Sequence, residues 1–173
     1  MAAMTTTGRI DPSTTAAERE MLESWLEFHR ETLALKCAGL SEEQLREAAV
    51  PPSSMSLLGL VRHMTEVERG WFHRVLGDED APPLYYSDED PDGDFHVTAE
   101  DTWQEAHTTW RAAVDRAREL AAPHSLDHIG GGKHRSGKTY NLRWIYVHMI
   151  EEYARHNGHA DLLRERIDGT TGD

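Results

Sequence analysis

The 173-residue chain has a single cysteine, Cys37, so no disulfide can close within it, which agrees with a reducing compartment. Cys37 follows Lys36 near the end of a helical pattern, with no nucleophile motif around it, and a packed structural role is expected. Lysine is nearly as scarce, at positions 36, 133 and 138 only, and the net charge is −13. Nucleic-acid binders meet phosphates with clustered Lys and Arg, so this acidity argues for no nucleic acid as a partner. Long apolar runs are missing as well, which excludes a membrane-spanning segment and a membrane partner. Residues Met1 to Pro12 are small and polar and lack the apolar stretch of a secretory signal. A cytoplasmic location is the expectation.

What is present is enough for one core. Hydrophobic residues make up 38% of the chain, and the length suits one domain rather than two. A flexible arm is expected over 1–14 and a single domain over 15–169.

Helical spacing sets the elements. Thr15 to Glu18 reads as a capping box for a first helix over about 15–38, with Leu22, Trp25, Leu26, His29 and Leu33 on its inner face. Ser41 to Gln44 reads as a cap for a short helical turn. A second long helix is expected over about 56–76, with Leu57, Leu60, Met64, Val67, Trp71 and Val75 inward, His63 on the flank of that stripe, and Gly77 as terminator. Residues 78–94 hold eight acidic side chains, no basic one and three prolines, and are expected to form a solvated crossover. Their order is not that of a calcium-binding EF-hand loop. Thr98 to Asp101 is expected to cap a third helix carrying Trp103, Ala106, Trp110, Ala113, Val114, Ala117 and Ala121 inward. A second loop, 123–140, carries Gly130 to Gly132 with Lys133, His134, Arg135 and Lys138, but lacks the order of a phosphate-binding loop. A fourth helix should run over about 141–167 and end at Gly169. With no convincing strand, the fold class is all-α, a four-helix bundle with long crossover loops.

The fourth helix breaks its own pattern. Steps of three and four give a seam of Ile145, Met149, 152, 156, Ala160, Leu163 and Ile167, and two of those positions hold Glu152 and His156. A carboxylate and an imidazole facing a core each cost several kcal/mol unless something satisfies them. One turn apart, they can converge on one point. Among eleven histidines, His73, His96, His107, His124, His128 and His134 fall on polar faces or in loops, where solvated surface is expected. His63 is the natural third ligand. Two imidazoles and one carboxylate suit zinc or another divalent first-row ion and leave a coordination position open. His148 and His159 flank the pair by one turn and suit orienting hydrogen bonds. Trp25, His29 and Trp71 are pocket candidates.

The blocks Gly59-Leu60-Val61-Arg62-His63-Met64, Glu68-Arg69-Gly70-Trp71-Phe72 and Glu152-Tyr153-Ala154-Arg155-His156-Asn157-Gly158-His159 resemble the DinB-like (YfiT-like) metal-binding four-helix-bundle superfamily. Within it the match is to the actinobacterial branch near the mycothiol-dependent S-transferases and maleylpyruvate isomerases. The resemblance implies a metal held by His63, Glu152 and His156. The Glu-x-x-x-His spacing is that of the isomerases, which use zinc, but their additional C-terminal domain has no counterpart in this chain. It implies a thiol transferase that takes a low-molecular-weight thiol such as mycothiol as co-substrate and an electrophile as acceptor. The alternative is a non-catalytic metal-binding stress or accessory protein, which a fourth protein ligand would favour. Exposed loop aromatics suit a homodimer contact or a pocket lid equally.

Overall fold

The computed structural model describes residues 9–172. The part of the expected arm over 1–8 lies outside the described residues. The helices are α1, Glu18–Cys37; α2, Glu42–Arg46; α3, Leu57–Glu68, continuing as a π-helical segment Arg69–Leu76; α4, Trp103–Ala121; and α5, Leu142–Asp168. Strand pairing among the described residues is limited to isolated bridges such as that between Ile129 and Asn141, and the fold is all-α. The chain divides into two units, Met1–Leu57 with Tyr146–Asp173, and Leu58–Ile145.

In the first unit α1 and α5 run in the same direction. Tyr146 Oη donates to Glu23 Oε1 at 3.0 Å, Asn157 Nδ2 to the His29 carbonyl at 3.0 Å, and Arg164 Nη1 to the carbonyls of Lys36 and Ala38 at 3.0 and 2.8 Å. Both residue numbers rise together along the pair. Arg164 thereby satisfies carbonyls that the end of α1 leaves without helical partners. Leu26, Leu33, Met149, Tyr153, Ala160 and Leu163 are buried in this unit. The N-terminus of α1 departs from expectation: Ala17 stands at the cap position with no side-chain cap, and Thr15 does not cap the helix. Glu18 and Glu20 lie in the first turn instead, where their charge favours the positive end of the helix dipole. The Ser41–Gln44 capping box forms as expected.

In the second unit α3 and α4 also run in the same direction, with Arg62 Nη1 2.8 Å from Asp101 Oδ2 and His73 Nε2 donating to the Ala113 carbonyl at 3.0 Å. Such a pair needs a long return connection, and 77–102 supplies it. That connection is more than the solvated loop expected. Gly93 and Asp94 are buried, and α3 holds the segment through charged side chains that are themselves buried. Arg62 Nη2 donates to the Gly93 carbonyl at 2.9 Å, and Glu66 Oε1 accepts from the backbone N–H groups of Leu84 and Tyr85 at 2.5 and 2.8 Å. Helical periodicity cannot reveal these anchors because their partners are loop backbone groups.

The π-helical segment is the second departure. Gly77 N–H donates to the Phe72 carbonyl at 3.0 Å, a step of five residues. The wider turn shifts the phase of the inward face. Phe72, His73, Val75 and Leu76 are buried, while Trp71 is half-exposed. His73 is therefore a core residue rather than solvated surface. Gly77 has φ −87° and is not the left-handed terminator expected; Asp78 takes that conformation, with φ 52°. Gly77 instead admits α4, since a Cβ there would lie 2.9 Å from Leu120 Cδ2. Thr102, not Thr98, caps α4, accepting from Glu105 N–H at 3.3 Å, while Thr98 and Asp101 close a separate turn at 2.7 Å. The inner face of α4 is as expected, with Ala106, Trp110, Ala113, Val114, Ala117 and Ala121 buried.

Two stability predictions follow from these buried groups. Replacing Glu66 with Ala removes the acceptor from two loop amides, and hydrogen bonds to a charged group are worth about 1.5–3 kcal/mol each, so a loss of roughly 3 kcal/mol is expected in urea unfolding. Glu66→Gln keeps one acceptor oxygen and should lose about half as much. Burial holds the His73 imidazole below its ordinary value of 6.5, against the opposing pull of the Ala113 bond and Glu79. A depressed pKa means the stabilisation is complete above the unfolded-state value and is lost as pH falls below it. Urea unfolding of His73→Gln should therefore show a shallower loss of stability between about pH 7 and pH 5 than the parent protein.

Candidate metal centre

The inward face of α5 is wider than the seam of threes and fours. Leu142, Ile145, Tyr146, Met149, Tyr153, His156, Asn157, Ala160 and Leu163 are all buried, and Glu152 is half-buried. Tyr153 and Asn157 fall outside the expected seam because they lie one step from its positions; a stripe over 100° wide admits them.

Within α5, Glu152 lies between two imidazoles, each one turn away. Its Oε1 is 3.4 Å from His148 Nε2 and its Oε2 is 3.6 Å from His156 Nε2. Both distances exceed the usual 2.7–3.2 Å of an N–H···O bond. Two donors each about 2.1 Å from one ion, set at a tetrahedral angle, lie about 3.4 Å apart. Both spacings, His148–Glu152 and His156–Glu152, are within the range of two ligands that share one ion. On the far side of the ring, His156 Nδ1 is 3.3 Å from His159 Nδ1. When His156 Nδ1 is the donor in this contact, the His156 Nε2 lone pair faces the Glu152 side. Burial, with the nearby His156 and Arg155, holds His159 below the ordinary imidazole value. His148 also turns Nδ1 toward Glu151 Oε2 at 3.6 Å, so its ring stands between two carboxylates.

On α3, His63 is half-buried and its Nδ1 donates to Asp94 Oδ2 at 2.7 Å. Phe95 stacks on the ring, with centroids 4.7 Å apart. The carboxylate and the aromatic ring fix the imidazole's tautomer and plane and leave Nε2 unprotonated. Asp94 is one acid among eight in its segment, and no sequence pattern separates it from the others. Among the described residues, His63, Glu152 and His156 offer ligand atoms that all lie within 4.8 Å of one another, and His148, Glu151 and Glu152 form a second such group. The donor set of two imidazoles and one carboxylate fits a divalent first-row ion.

The pocket candidates fall in different places. Trp25 is 41% exposed, its ring centroid 5.9 Å from that of His29. His29 lies beside Asn157 in a cleft of about 430 Å³, whose lining includes Arg9, Phe28, Lys36 and Asp161 but neither Glu152 nor His156. Burial, with Arg9 adding, lowers the His29 pKa. Trp71 belongs to a cluster of rings with His134, Tyr140 and Trp144.

Cys37 is 2% exposed, and burial pushes its thiol up to about 12. It is the packed residue expected. Burial and a raised pKa both disfavour the Cys37 thiol as a nucleophile or metal ligand at neutral pH.

Fold and site together define a class, all-α proteins with a candidate His/Glu group for a metal ion. The chain belongs to the Mycothiol-S-transferase family, whose model matches residues 21–169, in agreement with the resemblance carried by the blocks around His63 and His156. No sequence match is found among curated proteins. No helix of the described residues is long and apolar enough to cross a membrane.

A buried thiol with so high a pKa should resist modification. In the folded protein at pH 7.5, labelling of Cys37 by a disulfide reagent such as dithionitrobenzoate is expected to be at least about a hundredfold slower than in urea, because thiolate is the reacting form. Rapid labelling of the native protein would contradict the packed role.

Proposed function

We propose that the chain binds a divalent metal ion, zinc before others, through His63, Glu152 and His156, and activates a low-molecular-weight thiol such as mycothiol for transfer to an electrophile. The observation that carries this reading is the convergence of those three side chains in a member of the Mycothiol-S-transferase family. The ion's contribution is Lewis acidity, which favours the deprotonated form of a thiol near neutral pH.

The protein's own residues do the rest. Asp94 accepts the His63 Nδ1 proton and so keeps Nε2 available. Contact with His159 does the same for His156 when His156 Nδ1 is the donor. Glu152 supplies the one negative charge of the ligand set, leaving a net positive site that favours an anionic sulfur. With Cys37 buried, the reacting sulfur comes from the co-substrate. In the reaction, sulfur forms a bond to the electrophilic carbon. In a displacement the bond to the leaving group breaks and the thiol proton goes to solvent; in an addition the proton ends on the adduct. Three protein ligands suit this chemistry because a position stays open for the substrate. A position left open favours the enzyme; His148, with Nε2 3.4 Å from Glu152 Oε1, is the neighbour that would close it in the non-catalytic reading.

The test is turnover of 1-chloro-2,4-dinitrobenzene with a panel of thiols including mycothiol. Activity with at least one thiol is expected, lost on chelation and restored by zinc; no turnover with any thiol contradicts the reading. Replacing His63 or His156 with Ala should remove most of the metal from the purified protein while its helical circular dichroism persists. Four-ligand structural zinc sites are worth about 10–16 kcal/mol, so losing one of three ligands should weaken binding by several kcal/mol. Asp94→Asn leaves the ligands in place and should weaken metal affinity about 10–100-fold.

A further inference from the structure

The loop between α4 and α5 has a composition opposite to the rest of the chain. Residues 128–150 contain no Asp or Glu and carry Lys133, Arg135, Lys138 and Arg143, in a protein of net charge −13. Arg143 pairs with Asp127. Lys133, Arg135 and Lys138 are exposed.

In sequence these cations flank two members of a cluster of four rings, Lys133 and Arg135 on either side of His134 and Lys138 two residues before Tyr140. His134 stacks on Trp71 with centroids 4.9 Å apart and planes 14° from parallel, and Trp144 lies 4.9 Å from Trp71. Tyr140 closes the group, 4.4 Å from Trp144 and 5.4 Å from His134. Ser136 Oγ bonds to Tyr140 Oη at 3.0 Å and His134 Nδ1 at 2.9 Å, which ties the loop tip to the rings. Glycines seat the loop on the π-helical segment. Gly132 N–H donates to the Val75 carbonyl at 3.0 Å. A Cβ on Gly132 would lie 1.7 Å from the Arg74 carbonyl oxygen, and one on Gly130 2.2 Å from that of Val75. Only glycine permits this approach, so the triple glycine holds His134 over Trp71. Trp144 is left 42% exposed.

The geometry points to a binding surface for a small planar anion of the aromatic carboxylate class, stacked on the rings around Trp144 and held by Lys133, Arg135 and Lys138. Ring faces exposed to water favour stacking with another π system. Three cations with no acid between them in sequence select a negative ligand and disfavour an ammonium. Asp78 lies against Gly131, where a Cβ would come 3.4 Å from the Asp78 Cβ. The surface uses none of His63, Glu152 or His156 and does not rest on the metal reading.

The test is calorimetric titration of the full chain with 2-naphthoate, its neutral amide 2-naphthamide, and 1-naphthylmethylammonium, with no thiol present. Saturable binding of the naphthoate is expected, about fivefold to tenfold tighter than the amide, with the ammonium weakest. Replacing Lys133, Arg135 and Lys138 together with Gln should abolish the preference for the acid over the amide and leave amide binding unchanged. Trp144→Ala should weaken both, and circular dichroism reports whether that variant stays helical; if it does not, the exposed triple change decides alone. Equal affinity for acid and amide, an unchanged preference in the triple variant, or no saturable binding overturns the proposal. So does a self-associated form dispersed by the same triple change, which would make this face a contact between copies.

Discussion

Ionisable side chains facing the interior must be satisfied where they stand, and much of this structure is the consequence. A buried charge without a partner costs several kcal/mol, comparable with half the stability of an ordinary domain. On α3, Arg62 and Glu66 meet most of that requirement by binding backbone groups of the 77–102 connection, while Arg62 Nε and Glu66 Oε2 stay buried without a hydrogen-bond partner among the described residues. That connection is the return path that lets α3 and α4 run in the same direction. His63, one residue from Arg62, finds Asp94 in the same segment. Holding the loop and orienting the candidate ligand are thus one set of interactions. On α5 the His156–Glu152 pair has no comparable hydrogen-bond geometry and is spaced as ligands of one ion are.

Much of this is legible in the amino-acid sequence. Glu152 and His156 stand out because a helical seam is a strict pattern, and two ionisable groups within it demand an explanation. The inner face of α4 follows its spacing from Ala106 to Ala121, with Trp103 only half-buried at its start, and the crossover is legible from the length and composition of 78–94. Other features leave no trace in periodicity. The change from four-residue to five-residue hydrogen-bond steps after Glu68 reverses the expected positions of Trp71 and His73, yet neither residue type announces it. Arg62 and Glu66 look like surface charges because the loop backbone that satisfies them has no residue code. Thr98 and Thr102 both begin a threonine-x-x-acid pattern, and only the geometry selects the second.

Cys37 bears on the chemistry by being unavailable. With its sulfur buried and its pKa pushed up to about 12, the sulfur for a transfer reaction must arrive with a substrate, as membership of a mycothiol S-transferase family would require. The glycine-seated ring cluster on the α4–α5 loop is a separate feature built on the same π-helical segment that moves His73 inward. Segments of this kind interrupt regular helices most often where function needs a side chain re-aimed.

The most direct test of the central claim is X-ray absorption at the zinc edge of the metal-loaded protein, with and without the thiol. A site of His63, Glu152 and His156 should give a first shell of nitrogen and oxygen donors with the outer scattering of two imidazoles, and a new sulfur contribution at about 2.3 Å when the thiol is added. A shell of four protein donors that the thiol leaves unchanged, or scattering from a single imidazole, would contradict it.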